Sequence, residues 1–186
     1  MAQMKTPGVY IIEKNAFPNS VVEVATAIPA FIGHTQFARD GNKDLTGIPF
    51  RISSMAEFHS FFGFAPTLRF GIRPEDSESE DTTNDINVLF PDGSCQLTLP
   101  KTFYALYYNM LLFYANGGGP CYIVSVGDYE HDFKSIDFTN ALLALKKEQE
   151  PTLVVVPEAV YMEEGDCYKV QTAALMHCGN DMKNRF

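Results

Sequence analysis

Two short apolar runs on either side of one helical segment most constrain the fold of this chain. Residues 121–126 and 153–157 are continuous apolar runs of strand length. Between them, Asp137 is placed to cap a helix that runs to about Glu150. Strands joined by a crossover helix lie parallel in one sheet. The spacing therefore predicts a βαβ unit, and with it an α/β (mixed α+β) fold whose parallel core sheet is flanked by helices.

Further elements of the predicted core come before and after this unit. Residues 28–33 have the pattern of a buried strand, and residues 48–52 that of a short edge strand, because Pro49 has no amide hydrogen for a sheet ladder. A capping box of Ser54 and Glu57 opens the first of three further helices. These helices are predicted over residues 54–63, 102–115 and 166–178, the last with Gly179 as its C-cap.

Most of the net charge of −9 is concentrated in one segment of the chain. Alternating apolar residues on both sides of a turn at residues 91–94 predict a β-hairpin there. Without this segment the body is nearly neutral, so it has no basic surface for nucleic acid. The segment contains no Lys or Arg and seven acids: Glu75, Asp76, Glu78, Glu80, Asp81, Asp85 and Asp92.

An isolated strand signal precedes the core. Residues 6–13 begin with the breaker Thr-Pro-Gly and continue as Val-Tyr-Ile-Ile-Glu, and a second breaker stretch around Pro18 separates them from the rest. This run is either an edge strand of its own domain or an arm. The predicted organisation is an arm and linker at 1–20, a core at 21–73 and 100–186, and an acidic insert with a hairpin at 74–99.

The sequence offers little ligand-binding chemistry, and no cofactor or metal is predicted. Glycines 117–119 follow a helix and precede a strand, whereas phosphate-binding loops have the reverse order. The acids at 75–81 lack the alternating pattern of a calcium loop. A zinc site of Cys167, His177 and Cys178 has poor geometry, because adjacent helix residues point about 100° apart. The four cysteines form no C-x-x-C pair, which predicts reduced thiols.

Catalytic residues are not predicted either, although one enzymatic alternative stays open. Glu158, Glu163 and Glu164 follow a parallel strand, at the end where α/β enzymes place their sites. Carboxylates there could act as general acid and base, and a charged loop explains them as well. The N-terminus has no secretory signal and no apolar run spans a bilayer, which predicts a protein made and folded in the cytoplasm.

Taken in order, several segments carry a resemblance to a known family. They are Thr6-Pro7-Gly8-Val9-Tyr10-Ile11-Ile12-Glu13, the run 24–35, the segment 49–63 with its Ser-x-x-Glu-Phe helix start and Phe-Gly end, the segment 107–126 with Asn-Gly-Gly-Gly-Pro before the strand, and residues 153–158 and 174–178. Outside the acidic insert, nearly the whole chain resembles the N-terminal portion of contractile tail sheath proteins. The resemblance is closest to the sheaths of extracellular contractile injection systems, and phage tails share the pattern.

The resemblance implies a structural protomer that polymerises helically around an inner tube and contracts to drive it through a target envelope. It assigns residues 6–13 to an inter-subunit arm that adds a strand to a neighbour's sheet. The implied partners are further copies of the chain, an inner tube protein, and baseplate and tail-terminator proteins, without nucleic acid or membrane insertion. Family members are longer, so residues 183–186 are expected to begin a further core strand.

The implied location is the bacterial or phage-infected cytoplasm during assembly, and then a virion tail or a released extracellular particle. A non-contractile baseplate or adaptor protein with a sheath-like fold is a second alternative to the sheath, beside the enzyme. The resemblance implies no catalytic activity.

Overall fold

The computed structural model describes residues 27–74, 85–91, 93–98, 100 and 102–186. The fold is mixed α/β, as predicted, and is built on a four-stranded sheet with helices on both faces. The predicted arm at residues 6–13 lies outside the described residues, and so do the acids at 75–81. No helix of the described part is both long and apolar enough to cross a membrane.

The described part of the chain contains nine strands and four α-helices. The strands are β1 (Pro29–Gly33), β2 (Arg39–Asp40), β3 (Lys43–Asp44), β4 (Phe50–Ile52), β5 (Gly71–Pro74), β6 (Asp85–Phe90), β7 (Gly93–Thr98), β8 (Cys121–Ser125) and β9 (Leu153–Val155). The helices are α1 (Met55–Phe62), α2 (Leu106–Ala115), α3 (Ser135–Leu145) and α4 (Glu164–Met176). A 3-10 helix (Pro157–Tyr161) links β9 to α4, and a π-helical turn (His177–Asp181) follows α4.

Strand β1 lies at the centre of the core sheet, whose order is β4-β8-β1-β9. It pairs in parallel with both neighbours, and Phe31 is in register with Ile123 on one side and Val155 on the other. Strands β8 and β9 are therefore parallel, as the βαβ spacing predicts, but β1 separates them. Strand β4 is an edge strand, as Pro49 predicts, and it runs antiparallel to β8.

Each face of the sheet is covered by a pair of helices. Alternate residues of β1 point to opposite faces, so Ala30 and Ile32 pack under α3 and α4 while Phe31 packs under α1 and α2. The first core contains the fully buried Phe138, and the second contains Phe58 and Phe62. Burial on both sides explains why the strands are continuous apolar runs.

A three-stranded antiparallel sheet of order β5-β7-β6 includes the predicted insert and extends before it, because β5 begins at Gly71 and the insert is predicted to begin at residue 74. The predicted hairpin is confirmed as β6 and β7. Strand β5 pairs with β7 although Ile72 is its one large apolar residue and Pro74 ends it. The Arg73 guanidinium of β5 donates to the Thr98 hydroxyl of β7 at 3.0 Å. Strands β2 and β3 form a short separate hairpin.

Two helix starts differ from the prediction in detail. The Ser54 hydroxyl accepts from the Glu57 amide at 3.2 Å, as a capping box requires, but the Glu57 carboxylate accepts from the amide of Ser53 and not of Ser54. Helix α2 begins at Leu106 and not at residue 102. The Leu106 amide donates to the buried carboxylate of Glu158 at 3.4 Å, so this side chain takes part in fixing where the helix starts.

Two helix ends also differ. Helix α3 ends at Leu145 and not near residue 150. The next three amides bond to carbonyls three residues back, and the Arg185 guanidinium donates to the carbonyls of Leu145 and Glu148. Asp137 lies in its first turn and does not cap it. Helix α4 ends at Met176, and the predicted C-cap Gly179 instead lies within the π-helical turn.

Candidate functional site

A fully buried carboxylate lies at the carboxyl end of the parallel strands. Glu158, in the 3-10 helix after β9, is 0% exposed, and His34, the residue after β1, is 1% exposed. The His34 imidazole meets the carboxylate at 2.7 Å through Nδ1. Because a carboxylate only accepts hydrogen bonds, Nδ1 carries the proton. The two residues are thus a hydrogen-bonded pair inside the core.

Main-chain amides complete the coordination of this carboxylate. The His34 amide donates to both oxygens, at 2.9 and 3.2 Å, and the Leu106 amide donates to Oε1 at 3.4 Å. Leu106 is the first residue of α2, where the free amides of a helix favour a negative charge. Glu158 therefore ties together the end of β1, the 3-10 helix and the start of α2.

Gly33 makes this close approach of the three elements possible. A methyl group on its α-carbon would lie 2.9 Å from Cβ of Leu106 and 3.1 Å from Oε1 of Glu158. Both distances are shorter than ordinary van der Waals contact, so a side chain here would push α2 and the carboxylate away from the strand.

Aromatic rings enclose the imidazole on its remaining sides. The rings of Tyr104, Phe133 and Phe138 lie 5.4, 5.1 and 5.8 Å from it between centroids. A methyl group added to Gly127 would lie 3.3 Å from Cδ2 of His34, so the main chain closes the far edge of the ring. A general base must come within hydrogen-bond reach of a substrate. The enclosed pair instead links the end of β1 to the 3-10 helix and the start of α2.

The structure does not bring the three candidate carboxylates together. Glu163 and Glu164 are exposed at the start of α4, whereas Glu158 is buried behind α2. In the part of the chain that the structure describes, no hydrogen bond links Glu158 to either of them. The sequence does not predict that His34 is the partner of Glu158. The one sequence signal for His34 is its position at the end of a buried strand.

An open polar cleft of about 530 Å³ lies beside this pair, at the ends of β1 and β8. Two of its carboxylates, Asp44 and Asp128, accept hydrogen bonds from groups close to them in the chain. The Thr46 amide and hydroxyl lower the pKa of Asp44, and the Glu130 amide followed by the His131 ring lowers the pKa of Asp128. Among the described residues, no group of three or more His, Cys, Asp or Glu could hold a metal ion.

His177 and the four cysteines are the remaining candidates for metal-binding or reactive side chains. His177 is buried, and its Nε2 accepts from Arg185 at 2.9 Å, so this ring nitrogen is already paired with a cationic side chain. All four cysteines are free thiols. Burial raises the pKa of Cys121 to about 11, which keeps this thiol protonated and unreactive.

The outer edge of β9 is the second candidate site. The Phe186 amide donates to the Thr152 carbonyl at 2.9 Å, and the Val154 amide donates to the Phe186 carbonyl at 2.8 Å. This is the hydrogen-bond pattern of a parallel pair, so Phe186 lies beside β9 as a further strand would. An apolar cavity of about 630 Å³ adjoins it, lined by residues that include Val154, Ala174, Leu175, Cys178 and Phe186.

Comparison with known proteins does not identify the chain, since no family model and no curated protein matches it. The resemblance to contractile tail sheath proteins therefore stays a prediction. The same holds for the arm strand Thr6 to Glu13, which lies outside the described residues.

Proposed function

We propose that this chain is a structural protomer of a contractile tail sheath, which polymerises helically around an inner tube and contracts to drive the tube through a target envelope. The observation that carries the proposal is the outer edge of β9, where the main chain is already paired as a parallel strand at Phe186. An edge that accepts one strand residue in this way is suited to β-augmentation.

The geometry of this edge favours strand addition over side-chain recognition. Both main-chain groups of one strand residue point to the same side in a parallel pair, so the Val154 carbonyl faces outward with its amide. Beside it, Leu175 and Phe186 are 74% and 84% exposed and border the apolar cavity. Beyond Phe186, which already pairs with the Thr152 carbonyl and the Val154 amide, an added strand would gain a main-chain hydrogen bond at the Val154 carbonyl and apolar contacts from α4.

The arm predicted from the sequence has the composition that such a strand needs. Residues 9–12 are Val-Tyr-Ile-Ile, which combine high strand propensity with large apolar side chains. In the sequence, the breaker stretch around Pro18 lies between them and the predicted core, and in this proposal they pair with a neighbouring subunit. In this proposal the partners are further copies of the chain, an inner tube protein, and baseplate and terminator proteins, and contraction needs no nucleotide and no cofactor.

Deleting the arm tests the proposal. A variant without residues 1–20 is expected to fold but to form no sleeves, as judged by thermal unfolding and electron microscopy. A second test variant replaces residues 6–13 by a Gly/Ser sequence of the same length, which keeps the linker and removes only the predicted strand. Sleeves from either variant would contradict the proposed role of the arm, and loss of cooperative unfolding would make the strand part of its own core.

A further inference from the structure

A buried cation borders the apolar cavity beside β9. The cavity has a volume of about 630 Å³, and Arg185 lines it together with residues that include Val154, Ala174, Leu175 and Phe186. Small-molecule sites commonly enclose about 300–1,000 Å³ and combine mostly apolar walls with a few polar groups that orient the ligand. The cavity therefore has the size and the wall composition of such a site.

The guanidinium of Arg185 lies inside the protein without a carboxylate partner. Arg185 is 3% exposed. Its Nη1 donates to the Leu145 carbonyl and to Nε2 of His177, and its Nη2 donates to the Glu148 carbonyl. All three acceptors are neutral, and among the described residues no Asp or Glu side chain forms an ion pair with Arg185. An arginine nevertheless stays charged at neutral pH, so this charge has no counter-charge.

Two nitrogen atoms at this place have no acceptor. Nε of Arg185 and Nδ1 of His177 are buried and lack a hydrogen-bond partner among the described residues. Because Nε2 of His177 accepts from Arg185, Nδ1 carries the hydrogen, and both atoms are donors. Buried donors without acceptors and a buried charge without a counter-charge are both unfavourable. The inner wall of the cavity therefore lacks an anionic acceptor.

We infer that this cavity binds an amphipathic carboxylate, that is, an apolar chain ending in a carboxylate group, as in a fatty acid. The chain would lie against Val154, Leu175 and Phe186. The carboxylate would lie beside Arg185 and supply the charged acceptor that the guanidinium lacks. Leu175 and Phe186 are largely exposed, so the chain would also remove apolar surface from water. This binding does not depend on the sheath proposal.

Isothermal titration calorimetry of the protein with dodecanoate, below its micelle concentration, tests the inference. Dodecanol is the matched ligand, because it has the same apolar chain without the charge. We expect dodecanoate to bind about tenfold more tightly, since only the carboxylate forms charge-assisted hydrogen bonds with a guanidinium. The variant Arg185→Gln should bind the two ligands equally. Equal affinities in the unchanged protein, or no binding of dodecanoate, would overturn the inference.

A second variant tests the cavity without changing the buried Arg185. Leu175 is 74% exposed and lines the cavity, so Leu175→Asp should weaken dodecanoate binding about tenfold by placing a negative charge on the wall. Leu143→Asp is the matched control, because Leu143 is an exposed leucine of α3 that does not line the cavity. It should bind dodecanoate as the unchanged protein does, and both variants should have the same circular dichroism.

An equal loss of binding in the two leucine variants would overturn the inference, since the ligand would then not lie in the cavity. A peptide with the sequence of residues 6–13 distinguishes this inference from the proposed strand addition. Binding of the peptide without binding of dodecanoate would overturn the inference and leave the strand proposal standing.

Discussion

Replacing Glu158 by glutamine removes the charge of the buried carboxylate and keeps the size and shape of the side chain. Three donors converge on this group: the His34 amide, the His34 ring through Nδ1 and the Leu106 amide. An amide oxygen in the place of Oε2 can still accept the two bonds from His34. The amide nitrogen would then point its hydrogens at the Leu106 amide, so two donors would face each other.

The cost follows from these contacts. Hydrogen bonds to a charged group contribute about 1.5–3 kcal/mol each, and a buried donor left without an acceptor costs about 1–3 kcal/mol. Because two of the bonds survive in weakened form, we expect Glu158→Gln to lower the free energy of unfolding by about 3 kcal/mol. With a urea dependence of about 1–3 kcal/mol/M, the midpoint of unfolding should fall by about 1–3 M.

Urea unfolding at pH 7, followed by circular dichroism, measures this shift. The matched controls are Glu163→Gln and Glu164→Gln, since both side chains are exposed and surface changes usually stay within about 0.5 kcal/mol. A Glu158→Gln midpoint equal to those of the controls would refute the reasoning. It would mean that the carboxylate contributes nothing beyond filling its site.

Three other predictions concern surfaces and pH. The purified protein should self-associate through the β9 edge and the apolar cavity beside Leu175, and a sharp monomer peak at high concentration in size-exclusion chromatography would contradict this. Replacing residues 71–100, which include β5, by a Gly/Ser linker should leave sleeve formation intact under electron microscopy, whereas a folded variant that cannot assemble would place the insert at a subunit contact. Burial, and to a lesser extent the nearby Arg185, lowers the pKa of His177 below its usual 6.5. The unfolded state therefore takes up a proton at a higher pH than the folded state does. The free energy of unfolding should fall as the pH drops below about 6.5. The variant His177→Gln should flatten this fall in urea titrations, the exposed His131→Gln should not, and equal slopes would show that His177 is not its source.

Local patterns predict the elements of the core well because burial determines their composition. Strands β8 and β9 are continuous apolar runs since both faces of the sheet are covered, and the β6–β7 hairpin alternates because its two faces differ. The place of β1 between β8 and β9 could not be predicted. Hydrophobicity alone does not distinguish which of three buried parallel strands lies in the middle.

The candidate sites depend on contacts between residues that are far apart in the chain. His34 and Glu158 are 124 residues apart, and no local pattern links a strand-end histidine to a glutamate after another strand. Arg185 donates to the Leu145 carbonyl, 40 residues earlier, at the point where α3 ends. Side-chain partners of this kind follow from the tertiary arrangement and not from propensity.

Assembly of the protein tests the central proposal most directly. Particles purified through a tag on this chain should appear in negative-stain electron micrographs as helical sleeves, in both a long and a short, wide form. Micrographs that show only discrete, unassembled particles at every protein concentration would contradict a tail-sheath function.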